Sequence, residues 1–351
     1  DIISKLYPNA LTGQNELSTK TVTFQVTDAC NLACTYCYQI NKHHNVMSFE
    51  IAKLFIELLL EKDNENTNKY LDSWNSTALI IEFIGGEPFL QIDLIDQISD
   101  YFVKRLIELN HPWQYHYMFS ICSNGVLYFD PKVQAYIKKH QHNLSFSVSI
   151  DGNKQLHDSC RIFPDGSGSY DLAIAAMHHY VETYHKEMGS KMTIAPGNIN
   201  YVAEAVESLI ENGYTTIHLN CVYEEGWDNN YAKILYEQLK QLADYLIEHN
   251  LYNKIHCSMF EQKFFKPKNP LTDIKTWCGG NGQMISVDYK GDIYPCIRYM
   301  ESSLGTEQPP LIVGNVYDGL LTKQEWCDAY NCLSCTNRIT ESTQECIDCP
   351  I

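Results

Sequence analysis

An α/β architecture, a partial (β/α)6 TIM-like barrel followed by a cysteine-rich C-terminal extension, is expected from this sequence on three observations. Short β-branched runs alternate with long amphipathic stretches through residues 1–250, polar and glycine-rich residues follow nearly every run at the same end, and ten of the 14 cysteines crowd into residues 30–37 and 278 onward. Strands are expected from Val22 (VTFQV), Leu79 (LIIEFI), Tyr117 (YMFSIC), Leu144 (LSFSVSI), Met192 (MTI) and Ile217 (IHLNCV). Helices fall between them. Ile51, Leu54, Phe55, Leu58 and Leu59 share a stripe behind the N-cap candidate Ser48, and Glu50 in the first turn suits the helix dipole. Similar stripes run through Ile95, Ile98, Phe102 and Leu106, through Val202, Ala205, Val206 and Leu209, and through Leu235, Leu239, Leu242 and Leu246; these are core faces without chemistry.

Alternating strands and helices argue for a parallel sheet with right-handed crossovers, whose chemistry gathers at the carboxyl ends of the strands. Those ends read DACNLAC, GGEP, CSNG, SIDG, APGN and CVYEE in order. Residues 251–277 break the alternation with two prolines and are expected to be a linker between the barrel, 1–250, and an extension, 278–351. In the extension, Met284 to Val287 and Ile293 to Cys296 flank Tyr289, Lys290, Gly291 and Asp292, which reads as a hairpin.

At roughly 150 residues per domain, the 351 residues make about two units with a core that needs no disulfide staples. The 26 basic against 43 acidic residues leave a formal charge of -17, unsuited to a phosphate backbone, so no nucleic-acid partner is expected. The longest uncharged run, His111 to Phe129, is too polar for a bilayer helix, and no membrane partner is expected. The chain opens at Asp1 with no signal peptide in view, which points to the cytoplasm. There, clustered thiols read as metal or redox ligands rather than disulfides.

Cys30, Cys34 and Cys37 form C-x3-C-x2-C on a loop leaving the first strand. Three thiolates suit a cubane 4Fe-4S cluster with one iron left open. The alternative is a zinc knuckle that borrows His43 or His44. With CNLACTYC, GGEP at Gly85 to Pro88, SNG at Ser123 to Gly125, and SIDG continuing through HDSCR to Arg161, the chain resembles the radical S-adenosylmethionine (SAM) enzymes, in which these motifs occur in the same order. The resemblance implies that the amino and carboxylate groups of SAM chelate the open iron, and that an electron from the cluster yields methionine and a 5'-deoxyadenosyl radical. It implies further that Gly85, Gly86 and Glu87 receive the SAM amino group, that Asn124 and Asp151 lie near the ribose, that Ser149 and Arg161 lie near the carboxylate, and that Tyr36 sits beside the adenine. No residue is singled out as a catalytic acid or base.

The C-x12-G-x4-C arrangement from Cys278 through Gly291 to Cys296 resembles the first half of the SPASM or twitch extension, which implies one or two auxiliary 4Fe-4S clusters. Cys332 with Cys335 and Cys346 with Cys349 are the remaining candidate ligands, with zinc as the alternative metal, and the chain stops inside what would be the motif. Cys257 is a candidate to complete the first auxiliary site, Cys327 is a ligand or a spare thiol, and Cys122, Cys160 and Cys221 read as small core residues. The text FIGGEPFL, SICSNGVLYF and HDSCRIFPDGSGSYD resembles the radical SAM peptide maturases whose targets carry cysteine (CXXX) repeats. That resemblance implies a cysteine-containing precursor peptide, thioether formation, and an external reductant such as flavodoxin or ferredoxin. The alternatives are an anaerobic sulfatase maturase forming formylglycine, whose Asp base is replaced here by Ile297, or an iron-sulfur protein that senses redox state or carries electrons.

Overall fold

Branched and aromatic side chains in every second place build strands where the sequence puts them. The computed structural model describes residues 19–62, 74, 76–222, 226–261, 283–305, 308–321, 325, 343 and 344. In chain order these give β1 (Thr19–Gln25), α1 (Phe49–Leu60), β2 (Ala78–Ile84), α2 (Ile92–Glu108), β3 (Tyr117–Ser123), α3 (Pro131–Lys139), β4 (Leu144–Ser149), α4 (Lys154–Cys160), α5 (Tyr170–Tyr184), β5 (Gly189–Ile194), α6 (Val202–Glu211), β6 (Thr216–Cys221) and α7 (Asn229–Glu248). All six expected strands are present. Short strands follow at β7 (His256–Cys257), β8 (Met284–Val287), β9 (Asp292–Tyr294), β10 (Gly314–Asn315) and β11 (Gly319–Leu320).

One sheet holds them in the order β11-β10-β9-β8-β1-β2-β3-β4-β5-β6-β7. Every pair from β8 to β7 is parallel, and the expected hairpin β8–β9 turns at Gly291, whose φ of 85° is a conformation glycine adopts without penalty. The stretch expected as a linker thus contributes β7, and the hairpin beyond it hydrogen-bonds to β1 as a continuation of the barrel wall.

The outward face of the sheet carries Val22, Phe24, Ile81, Phe83, Phe119, Ile121, Phe146 and Val148, all buried against the helices. Phe24 meets Phe83 on β2 at 5.8 Å and Phe55 of α1 edge-on at 5.2 Å. Burying each such ring contributes roughly 1.5–3 kcal/mol. Ser48 caps α1 as expected, its Oγ accepting from the Ile51 N–H at 3.2 Å. The buried face of α1 is Ala52, Phe55, Ile56, Leu59 and Leu60, a stripe rolled by about one residue from the expected one, which leaves Ile51, Leu54 and Leu58 half-buried.

The inner face is polar. The register aligns Ser286, Thr23, Glu82, Ser120 and Ser145 in one row, with Cys122 beside Ser147 and Ser149 beside Lys191. A parallel sheet covered on both faces reads as a continuous apolar run. Alternation in these strands therefore reports an open lumen. The β4–β5 pairing holds only Val148↔Ser190 and Ser149↔Lys191, and a cleft of about 590 Å³ opens below it beside Ser145, Ser147, Lys191 and His218. Among the described residues no helix is long and apolar enough to cross a membrane.

Candidate functional site

The loop from β1 to α1 carries Cys30, Cys34 and Cys37, all three unbridged and half-exposed at the carboxyl end of the sheet. Its base is closed by an antiparallel bridge between Thr27 and Val46. Asp28 reinforces the closure, accepting from the Asn45 N–H at 2.6 Å and from Asn45 Nδ2 at 2.8 Å. Two backbone attachments hold the cysteine segment in place. The Ala33 and Thr35 N–H groups donate to the carbonyls of Ile162 and Cys160 at 2.7 and 2.9 Å, and the end of β2 donates from Gly86 N to Thr27 O at 3.1 Å and from Glu87 N to Ala29 O at 2.9 Å. A Cβ at Gly86 would stand 2.5 Å from the Ala29 carbonyl carbon and 2.7 Å from Cys30 Cβ, so only glycine lets the two loops touch.

Glu87, expected to offset an ammonium, is 1% exposed and accepts from Phe89 N at 3.1 Å, Ser123 Oγ at 2.8 Å and Asn124 N at 2.8 Å. It ties the end of β2 to the end of β3. Burial pushes its pKa up to about 7 against the pull of those three donors. Asn124 is likewise engaged, with Nδ2 donating to Asn31 Oδ1 on the cysteine loop at 2.7 Å.

Asp151 and Arg161 form a buried pair, Nε to Oδ2 at 2.8 Å and Nη2 to Oδ1 at 3.3 Å. Tyr36 hydroxyl donates to the same Asp151 Oδ2, and the guanidinium lies over the Tyr36 ring at 5.4 Å. Burial works against the Arg161 charge, and the Asp151 carboxylate outweighs it, so the guanidinium stays charged. Arg161, expected near the SAM carboxylate, is thus engaged by Asp151 along Nε and Nη2, with Nη1 outside that contact. Behind the pair, His157 Nδ1 accepts from the Asp151 N–H at 3.3 Å, its Nε2 meets Ser169 Oγ at 3.0 Å, and Ser169 donates to Arg161 O at 2.8 Å. Burial lowers the His157 pKa to about 4, so a neutral imidazole braces both partners. Ser149 Oγ lies 3.4 Å from Cys122 Sγ.

The thiols suit a metal cluster. Burial raises Cys30 to about 11 and raises Cys34 as well, so as free thiols they are protonated, and binding a cluster would ionise them. Cations stand ready beside them. Arg161 acts on Cys34, and Lys42, which burial alone would lower, is raised by the charges of Cys37 and Cys30. The sequence reading missed Lys42, although it is the one Lys or Arg between Thr27 and Val46. Two more residues were missed. Tyr38 carries Arg298 over its ring at 5.1 Å, and Asn41 Nδ2 donates to the Glu301 and Leu304 carbonyls at 3.0 and 2.9 Å, joining the cysteine loop to the segment after Cys296.

His43 and His44 are exposed. Cys122, Cys160 and Cys221, expected in the core, are half-exposed at strand and helix ends because their positions face the lumen or the loop layer. Cys257 is buried in β7, and β8 and β1 to β6 lie between that strand and β9, which precedes Cys296. Cys278, Cys327, Cys332, Cys335, Cys346 and Cys349 lie outside the described residues.

No known family model matches the chain. It is 27% identical to an uncharacterized protein of Methanocaldococcus jannaschii, MJ0907, over 79% of this chain and 84% of that one. It is 23% identical to the radical SAM cyclopropyl synthase TigE of Paramaledivibacter caminithermalis, over 95% of this chain and 66% of that one. Among solved structures, anSMEcpe with bound AdoMet superposes with a TM-score of 0.68 at 18% identity, covering 94% of this chain and 86% of that one. Streptococcus suis SuiB bound to the precursor peptide SuiA gives a TM-score of 0.58 at 17% identity, covering 99% and 73%. The fold is the one those structures share, and the characterised homologues and structural neighbours of this chain are radical SAM enzymes.

Proposed function

We infer that this chain is a radical SAM maturase of a ribosomally made peptide that joins a precursor carbon to a cysteine sulfur as a thioether. The observation that carries the reading is the placement of Cys30, Cys34 and Cys37 on one loop seated on Gly86 at the carboxyl end of the sheet, with Arg161 of the Asp151–Arg161 pair acting on Cys34. When bound, the 4Fe-4S cluster supplies the electron that splits the sulfonium of SAM. The chain's own residues place the reactants. Lys42 and Arg161 offset the thiolate charge, Gly85, Gly86 and Glu87 face the SAM amino group, and Arg161 Nη1 with Ser149 faces its carboxylate. Asn124 and Asp151 border the ribose and Tyr36 the adenine. Cys296 and the further cysteines of residues 278–351 are the ligands we assign to the auxiliary clusters, while β8 of that stretch belongs to the barrel sheet.

The lumen row of Ser286, Thr23, Glu82, Ser120 and Ser145 offers hydrogen-bonding groups to a peptide, and the SuiB structure holds a precursor peptide. In thioether formation the carbon gives up a hydrogen atom, the thiol gives up its proton, and one electron leaves to an auxiliary cluster or an external carrier. Formylglycine formation, which sulfatase maturases carry out, requires a base. Ile297 occupies the position after Cys296 within a short 3-10 turn, and its side chain accepts no proton.

The test is mass spectrometry of a cysteine-repeat precursor after anaerobic turnover with SAM. The expected product has lost two hydrogens and one titratable thiol per link. A product that instead reacts with hydrazide as an aldehyde would favour the sulfatase-type reading and remove this one.

A further inference from the structure

On the outer wall of the barrel, away from the lumen, α2 meets the end of α3. Asp96 and Asp100 lie one turn apart on α2, and Lys139 Nζ sits 2.7 Å from Asp96 Oδ1 and 2.6 Å from Asp100 Oδ1. One ammonium thus faces two carboxylates, which leaves a negative charge uncompensated. The next residue, His140, is 7% exposed and packed between the rings of Phe119 at 4.9 Å and Tyr136 at 4.6 Å. Its Nε2 has no hydrogen-bond partner although it lies 3.9 Å from Asp96 Oδ1. A buried ring nitrogen left unpaired is destabilising.

We propose that Asp96, Asp100 and His140 form a binding site for a divalent first-row transition cation, with Nε2 and one oxygen of each carboxylate as ligands. The three ligand atoms already lie within 4.8 Å of one another, and a closing movement of under about 1 Å brings them to bonds of about 2.1 Å. A dication cancels both carboxylates and satisfies the orphaned nitrogen, neither of which the ammonium does. The His140 backbone is pinned by the Asn143 N–H donating to its carbonyl at 3.0 Å, which holds the residue beside Asp96. Burial, aided by the Lys139 charge, holds the imidazole neutral, which is the ligating form. A hollow of about 550 Å³ bordered by Asp100, Lys139 and Asn143 has room for completing waters and for Lys139, which is 40% exposed, to swing aside.

Mn2+ is the probe, because an oxygen-rich ligand set suits it and thiolates compete for it weakly. Anaerobically reconstituted protein, its cysteines carrying iron, is titrated while free Mn2+ is followed by electron paramagnetic resonance. The expected result is one bound ion at micromolar concentration, binding weakened by ~10-fold or more in Asp100→Asn and in His140→Ala, and binding tightened by several-fold in Lys139→Met, which removes the competing charge. Asp100 and Lys139 are surface residues, so those variants report even where His140→Ala fails to fold. Absence of binding in the wild type, equal binding in Asp100→Asn, or a loss of affinity in Lys139→Met would each overturn the proposal and leave Asp96, Asp100 and Lys139 as a surface charge cluster beside an internal water.

Discussion

Replacing Gly86 with alanine tests how the site is assembled. The added methyl would lie 2.5 Å from the Ala29 carbonyl carbon and 2.7 Å from Cys30 Cβ, and neither neighbour is the far end of a flexible chain. Overpacking of this kind costs about 1–3 kcal/mol, and separating the loops forfeits the Gly86 N to Thr27 O and Glu87 N to Ala29 O hydrogen bonds at about 1 kcal/mol each. The loss is therefore about 1–3 kcal/mol if the loops stay together. If instead the cysteine loop yields, the strain is exchanged for the two hydrogen bonds, about 2 kcal/mol, and Cys30 is displaced from its partners. Urea unfolding of the iron-free protein and iron content after anaerobic reconstitution measure the two outcomes side by side. The expected result is a variant that loses stability, the iron of one cluster, or both. Gly85→Ala, whose methyl meets Thr27 O at 2.7 Å and the movable Thr27 Cγ2 at 3.0 Å, is expected to suffer less, and Gly197→Ala, with nothing within 4 Å, to be neutral. Wild-type stability together with wild-type iron in Gly86→Ala would refute the reasoning.

Two further substitutions separate the supporting roles. Asp151→Asn leaves the Arg161 guanidinium buried without its counter-ion; a stability loss of about 3–5 kcal/mol and weaker SAM binding are expected in equilibrium unfolding and calorimetry, with the iron content kept. An unchanged SAM affinity would place the pair outside the binding site. Glu87 has its folded pKa raised to about 7 from 4.5, so its contribution to stability is complete below about 4.5 and is lost as pH rises through 7. That shift corresponds to about 3 kcal/mol. Glu87→Gln should therefore flatten the fall in unfolding free energy between pH 5 and about 8 relative to the wild type, and parallel pH profiles would show that Glu87 is ionised throughout.

The strand order and the three-thiol loop were legible because their signals are local. Alternation with period two marks β1 to β6, and C-x3-C-x2-C is contiguous. The eighth parallel strand was not legible, because β8 pairs with β1 across more than two hundred residues and Met284 to Val287 read only as half of a hairpin. Within the site, GGEP was visible as a motif, and its mechanical role was not. That Gly86 yields to the Ala29 backbone and the Cys30 Cβ, and that Glu87 spends its oxygens on Ser123 and Asn124, depends on loops brought together by the barrel. The same holds for Arg161, whose claim on Asp151 is a contact across α4. Lys42 could have been read from the sequence as a lone cation beside three thiols. Tyr38 and Asn41 could not, since their partners lie after Cys296. The stripe of α5 was not singled out because two of its four buried residues, Ala173 and Ala176, give little apolar contrast beside Met177 and Tyr180.

The direct measurement is anaerobic incubation of the reconstituted protein with SAM and dithionite, followed by chromatography for 5'-deoxyadenosine and methionine. Both products are expected in equal amounts from the wild type, and neither above background from a Cys30→Ala, Cys34→Ala, Cys37→Ala triple variant. Wild-type protein carrying a full complement of iron that leaves SAM intact would contradict the account.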